Sequence, residues 1–347
     1  MKSLEVNLSY CNFAKTVLML IVVLCHSAAF YSGNWFTVLE PTQTNQYLAS
    51  LSSWLGTFHV QAFTLISGYI FYFLRKESGR YSDFKSFIIN KARRLLVPYF
   101  AVSLFWAIPI GCMFYNYTIN EVFNQFILGQ SPAQLWFLLM LFNVFMIAFL
   151  LLDNNIAWHS WGGGACVGIL FALNPLISII SPNYFQIITS MKYVLFFYTG
   201  FMIRRHYPDI SPKSMLRIGC ILLLFNLLLF TLREEFNWEV SILMKMIKYT
   251  ISCLCEWCGA VMAFFLLSSF ASSIKWKNAI FESISEASFP IYLFHQQIIY
   301  CLLWHFSGFF SPIKMSIICF CCSVLISWAI GTLMNKKKLT RMIIGGK

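Results

Sequence analysis

Asn12, Lys15 and His26 share one face of the first apolar stretch, NFAKTVLMLIVVLCH (12–26). At 100° per residue, the eleven steps from Lys15 to His26 end about 20° past three full turns and about 16 Å along the axis. Asn12, three residues before Lys15, lies on the same stripe. An amide, an ammonium and an imidazole thus line one side of an otherwise greasy helix. Ionisable groups at membrane depth are costly and are functional candidates by default. An imidazole titrates near neutrality, which suits it to proton transfer.

Three more residues carry the same kind of signal. His59, in FHVQAF, falls on the second apolar stretch near the depth of His26. His295, in SFPIYLFHQQ, lies near the middle of the ninth. Glu256, about a third of the way into the eighth stretch, is the acidic residue deep in a span and is available to orient an imidazole. Singly, each histidine reads as an interhelical hydrogen-bonding group; together at one depth they point to catalysis. His159, His206 and His305 sit at span ends, where interfacial placement explains them. Lys192 reads as snorkelling to the outer surface.

A second cluster is basic: Arg75, Lys76 and Arg80, then Lys91, Arg93 and Arg94 before Pro98. It reads either as anchoring against anionic lipid or as a seat for a polyanionic phosphate ligand, which Arg binds in bidentate fashion. Lys15, at the same membrane edge, joins the second reading.

The elements that must position these groups are membrane helices. The chain has 347 residues, is 59% hydrophobic and is only 11% charged, with mean hydropathy +0.69. Soluble domains run near a quarter charged. Ten segments are long enough to cross a bilayer core of about 30 Å. They lie near 14–33, 51–74, 95–115, 134–152, 161–181, 185–203, 215–232, 249–270, 288–306 and 313–335. With the N-terminus inside, twenty of the 25 Lys and Arg residues fall on the cytoplasmic side, a strong positive-inside bias. The expectation is an all-α polytopic membrane protein of about ten transmembrane helices with both termini cytoplasmic. Residues 1–335 form a single membrane domain, and 336–347 a short basic cytoplasmic tail.

The net charge of +12 follows from that bias, so no nucleic-acid partner is expected. The twelve cysteines lie mostly inside apolar runs and read as packing residues, including Cys255-x-x-Cys258. No phosphate-binding glycine loop follows a strand, and no nucleophile elbow or H-E-x-x-H spacing is present. The outer loops 34–50 and 116–133 are rich in Asn, Gln, Thr and Tyr, a composition that suits either solvent or a hydroxyl-rich ligand.

These residues resemble the integral-membrane acyltransferase 3 family. Asn12, Lys15 and His26 stand in register with its D-x-x-R followed by ten residues and a His. FHVQAFTLISGYIF (58–71) is similar to its second-span run ending in Ser-Gly-Tyr, here Ser67, Gly68 and Tyr69. KARRLLVPYF (91–100) resembles its basic entry to span 3, and LWFLLMLF (135–142) and SFPIYLFHQ (288–296) match two further marks. Asn12 replaces the usual acid, and Lys15 the usual Arg, which keeps charge but loses the planar fork.

The resemblance implies transfer of an acyl group, usually acetyl from acetyl-coenzyme A, to a hydroxyl of a cell-surface or secreted polysaccharide or its lipid-linked precursor. It implies a multi-pass protein of a bacterial cytoplasmic (inner) membrane. His26 is then the general base or a transient acyl carrier, with Glu256 beside it. Lys15, Arg75, Arg93 and Arg94 hold the coenzyme. His59, Trp136, Tyr292 and His295 line the acceptor or acyl pocket. The thioester is already activated, so no metal is required. The competing readings are a transporter or flippase for a lipid-linked sugar or proton-coupled solute, and a scaffold subunit of a glycan-assembly complex.

Overall fold

A computed structural model describes residues 2–33, 35–81, 83–152, 161–235, 241–273, 276 and 278–346. Every regular element among the described residues is helical. That is the expected solution for a chain in lipid, where each backbone N–H and C=O must find a partner within its own segment. In chain order the first elements are α1 (Lys2–Ala29), α2 (Gln46–Gly56), α3 (His59–Tyr72), α4 (Phe84–Val102) and α5 (Ile108–Tyr115). A short α6 (Ile119–Val122) precedes α7 (Trp136–Leu152), α8 (Trp161–Ile180), α9 (Ile187–His206) and α10 (Pro212–Glu235). The chain ends with α11 (Ile242–Ser273), α12 (Ala279–Glu286), α13 (Ser288–Phe306), α14 (Pro312–Asn335) and α15 (Lys338–Ile343).

Eight helical stretches among the described residues are long and apolar enough to cross a membrane. The sixth and ninth expected spans are α9 and α13, helices of 20 and 19 residues. They fall outside that count, and each carries ionisable or amide groups: Lys192 and Arg204 in α9, His295 to Gln297 in α13. The structure is therefore a polytopic all-α membrane protein. His159, Lys275 and Lys277 lie outside the described residues.

α1 is the hub. It touches α2, α3, α11, α13 and α14, and its core-facing residues Ala14, Leu18, Met19, Val22 and Val23 are buried. The second span breaks at Thr57 and Phe58 between α2 and α3. The third carries Pro98 inside its helix and a π-turn at Ser103–Ala107; an interior proline removes a backbone N–H from the helical ladder.

α3 and α9 meet backbone to backbone. A Cβ on Gly68 would overlap the Phe197 carbonyl, and one on Gly200 would overlap that of Leu65. The small residue of Ser-Gly-Tyr thus has a packing cause, as in small-residue helix contacts in membranes. At one end the pair is clamped by Arg204, which donates from Nε and Nη2 to both Glu77 carboxylate oxygens at 2.7 and 2.6 Å. Obstruction by backbone cannot be relieved by a rotamer change. Gly68→Ala and Gly200→Ala should each destabilise by at least the roughly 1–3 kcal/mol of core overpacking. The readout is the thermal midpoint of solubilised protein; a midpoint equal to wild type in both would show that the helices separate freely.

In the short basic segment that starts at Lys336, Lys338–Ile343 form α15. α15 packs on α4 and α14, the Arg341 guanidinium donates to the Asn335 carbonyl at 2.6 and 2.9 Å, and Ile344 is buried.

Candidate active site

The break between α2 and α3 starts the site. His59 opens α3, and its Nδ1 donates to the Leu55 carbonyl at 2.7 Å. That bond fixes the proton on Nδ1 and leaves Nε2 with its lone pair. Nearby, His26 on α1 meets His295 on α13, Nδ1 to Nε2, at 2.9 Å. His295 Nδ1 faces two carbonyls, Tyr292 at 2.8 Å and Ile291 at 3.0 Å. A carbonyl can only accept, so His295 carries its proton on Nδ1 and accepts on Nε2. His26 must then donate from Nδ1, which leaves Nε2 as its basic nitrogen. The tautomers of all three rings follow from where the backbone carbonyls lie.

His26 and His59 line one cavity of about 510 Å³. Its walls include Met19, Val22, Phe63, Phe71 and Leu141. Its other end is cationic, with Lys15, Lys91 and Arg94. Lys91 Nζ sits 3.6 Å from the centroid of Phe145 and about 5.5 Å from those of Phe87 and Tyr81, so ring faces partly replace its lost water. Asn12, Glu286 and Asn335 edge the same end, with Gly345 and Gly346 from beyond α15. Gly345, at φ +73°, runs where a Cβ would lie 2.9 Å from the Arg94 carbonyl oxygen. The rise of α1 puts about 16 Å between Lys15 and His26.

The structure brings together Lys15, Arg94, His26, His59, Trp136 and Tyr292 around this cavity. His295 stands behind His26, and Tyr292 is tied down by donating to the Gln134 carbonyl. Two expected coenzyme contacts are elsewhere. Arg93 is exposed and does not line the cavity. Arg75 donates to the Tyr81 carbonyl and stacks on Phe149, 4.1 Å from its centroid.

Glu256 also departs from expectation. It does not meet a histidine; it accepts from Lys192 Nζ at 2.8 Å and from Gln61 Nε2 at 3.1 Å. Lys192 accordingly does not snorkel outward. An ammonium and a carboxylate on neighbouring membrane helices neutralise each other, because either one alone would be an uncompensated charge. The orienting partner of His26 is His295 instead.

Two residues of the site, Lys91 and Gln134, are not among the expected coenzyme or acceptor contacts. Lys91 was part of the basic cluster, and its i, i+3 spacing to Arg94 puts both on one face. Gln134 and Gln297 exchange amide hydrogen bonds at 2.7 and 3.0 Å, fixing the helical turn Ala133–Leu135 before α7 to α13; no sequence signal pointed to Gln134. The twelve cysteines are free thiols.

Fold and site together define a polytopic helical membrane protein in which a hydrogen-bonded imidazole pair heads a cavity rimmed by cations. The family model for an acyltransferase domain matches residues 8–332. The chain belongs to the acyltransferase 3 family and is a membrane acyltransferase. Neither a curated relative nor a solved structure matches it.

Proposed function

We propose that the protein moves an acetyl or other short acyl group from acyl-coenzyme A to a hydroxyl of a cell-surface or secreted glycan or its lipid-linked precursor. The observation that carries this reading is the single cavity joining Lys15, Lys91 and Arg94 to His26. The coenzyme's phosphates are polyanionic and match the cationic end. The span from there to His26 is comparable to an extended pantetheine arm, so the thioester arrives beside the imidazole pair.

In this mechanism an acceptor hydroxyl gives its proton to His26 Nε2 as its oxygen attacks the thioester carbonyl. The new C–O bond forms, the C–S bond breaks, and the leaving thiolate takes the proton back from His26. His295 holds the His26 ring with Nε2 basic throughout. Base catalysis of this kind contributes about 10²–10⁴-fold. The positive-inside bias of the basic residues supports a cytosolic position for the cationic end, the side on which acyl-coenzyme A is made, and the reading takes the membrane to be a bacterial cytoplasmic one.

The test is to supply membranes with acetyl-labelled acetyl-coenzyme A and follow label into polysaccharide. Each lost charge-assisted contact is worth about 1.5–3 kcal/mol, or about 10–100-fold. Lys15→Ala and Lys91→Ala should therefore raise the KM for acetyl-coenzyme A by about that much with kcat little changed. Arg93→Ala should leave KM as it is. Equal effects from Arg93 and Lys91 would overturn the assignment of the seat, and polysaccharide without label would overturn the function.

A further inference from the structure

A second hollow, of about 540 Å³, shares Trp136 with the His26 cavity. We infer that this hollow holds an uncharged sugar ring of the acceptor, packed against Trp136. The inference rests on the acyl-transfer reading and adds where, and in what chemical form, the acceptor is held.

Four observations carry it. The first is position: Trp136 is the wall between a cavity containing a base and a hollow formed by the end of α8, the turn 181–186 and the start of α9. A ligand in the hollow is one side chain away from the cavity that contains the base. Second, its aromatic pair is Trp136 against Tyr193, ring centroids 5.7 Å apart at 64°. A pyranose presents an apolar C–H face to such rings and hydroxyls around its edge.

Third, the polar groups are split between frame and offer. Asn183 accepts from the Ile188 N–H at 3.0 Å and donates to Thr189 Oγ1 at 2.6 Å, while Gln186 Nε2 donates to the Gly129 and Gln130 carbonyls at 2.7 and 2.9 Å. The turn is thereby preorganised, which lowers the cost of binding. Asn174 spends Nδ2 on the Ile188 carbonyl at 2.6 Å, and Ser178 spends its proton on the Pro175 carbonyl at 2.8 Å. Their acceptor lone pairs remain for a ligand, as do two of the three Lys192 protons. Donors and acceptors side by side suit hydroxyls, which are both.

Fourth, the charge is already balanced. Among the described residues Lys192 is the hollow's only ionic lining residue, and Glu256 sits 2.8 Å from it. An anionic sugar would find no uncompensated cation there.

The experiment uses the full chain in phospholipid nanodiscs, free of glycoside detergent and without acyl donor. Saturation-transfer NMR is recorded with methyl glycosides of glucose, galactose, mannose and N-acetylglucosamine, and with methyl glucuronide. At least one neutral glycoside should bind in the millimolar range, and methyl glucuronide should bind at least about tenfold more weakly. Ser178→Phe, which fills the hollow from an exposed position, should weaken the neutral glycoside at least about tenfold. Asn174→Leu should do the same by removing both the free acceptor and the donor that holds the Ile188 carbonyl. Absence of binding by all four neutral glycosides, preference for glucuronide, or binding unchanged in both variants would each overturn the inference. Because no acyl donor is present, that failure is distinct from failure of acyl transfer, which the labelling experiment reads separately.

Discussion

His26→Ala lowers kcat about 10²–10⁴-fold, the range for loss of a positioned general base, and leaves the KM for acetyl-coenzyme A close to wild type. The split follows from the layout of the cavity. The groups that would grip the donor, Lys15, Lys91 and Arg94, are at its other end, about 16 Å along α1 for Lys15. Removing an imidazole there alters charge and contact only where bonds are made and broken, so the loss belongs to the transition state. His26→Gln should fare no better than alanine, since an amide can hydrogen-bond but cannot take a proton. Steady-state kinetics on purified membranes, with donor and acceptor varied in turn, measures both constants. If either variant keeps more than about a tenth of wild-type kcat, the base is elsewhere, and His59, the other cavity-lining imidazole with its proton fixed on Nδ1, becomes the next candidate.

How far this site could be read in advance varies residue by residue, for physical reasons. The stripe of Asn12, Lys15 and His26 was legible because a polar group on an apolar helix is expensive and because 3.6-residue periodicity is reliable over three turns. The alternation of apolar spans and basic loops gave the membrane architecture for the same kind of reason. The phase of the third span was not legible. Arg93 and Arg94 are neighbours and point about 100° apart, and Arg94 lines the cavity while Arg93 does not. Apolar residues in a membrane helix face lipid and protein alike, which leaves no hydrophobic stripe to say which Arg looks inward. Arg75 was lost to a π-turn at Phe73–Glu77, which shifts the register of every later residue in that helix. Glu256 could be recognised as a buried acid, but its partner depends on which helices touch, and α9 offered a lysine. His26 and His295 are 269 residues apart; only the α1–α13 contact makes them a pair.

That pair gives the second large effect. His295 contacts His26 and two backbone carbonyls and does not line the cavity, so it is a positioning residue. Its removal leaves the His26 Nδ1 proton without an acceptor in a buried place, which costs about 1–3 kcal/mol. The ring can recover part of that by turning or by moving its proton to Nε2, and either change removes the basic nitrogen from the reaction. His295→Ala should therefore lower kcat on the order of 10²-fold. That is less than the roughly 10⁴-fold lost when a triad's carboxylate orienter is neutralised, because a neutral imidazole holds its partner's tautomer without stabilising an imidazolium through charge. His295→Gln should restore part of the rate, since a side-chain carbonyl can accept the same proton. The decisive measurement is the double variant. With His26 already alanine there is no ring left to orient, so adding His295→Ala should cost almost nothing further, a strong departure from additivity. A merely structural role would show the opposite pattern: losses that multiply, no rescue by glutamine, and reduced folded protein in the His295 single variants.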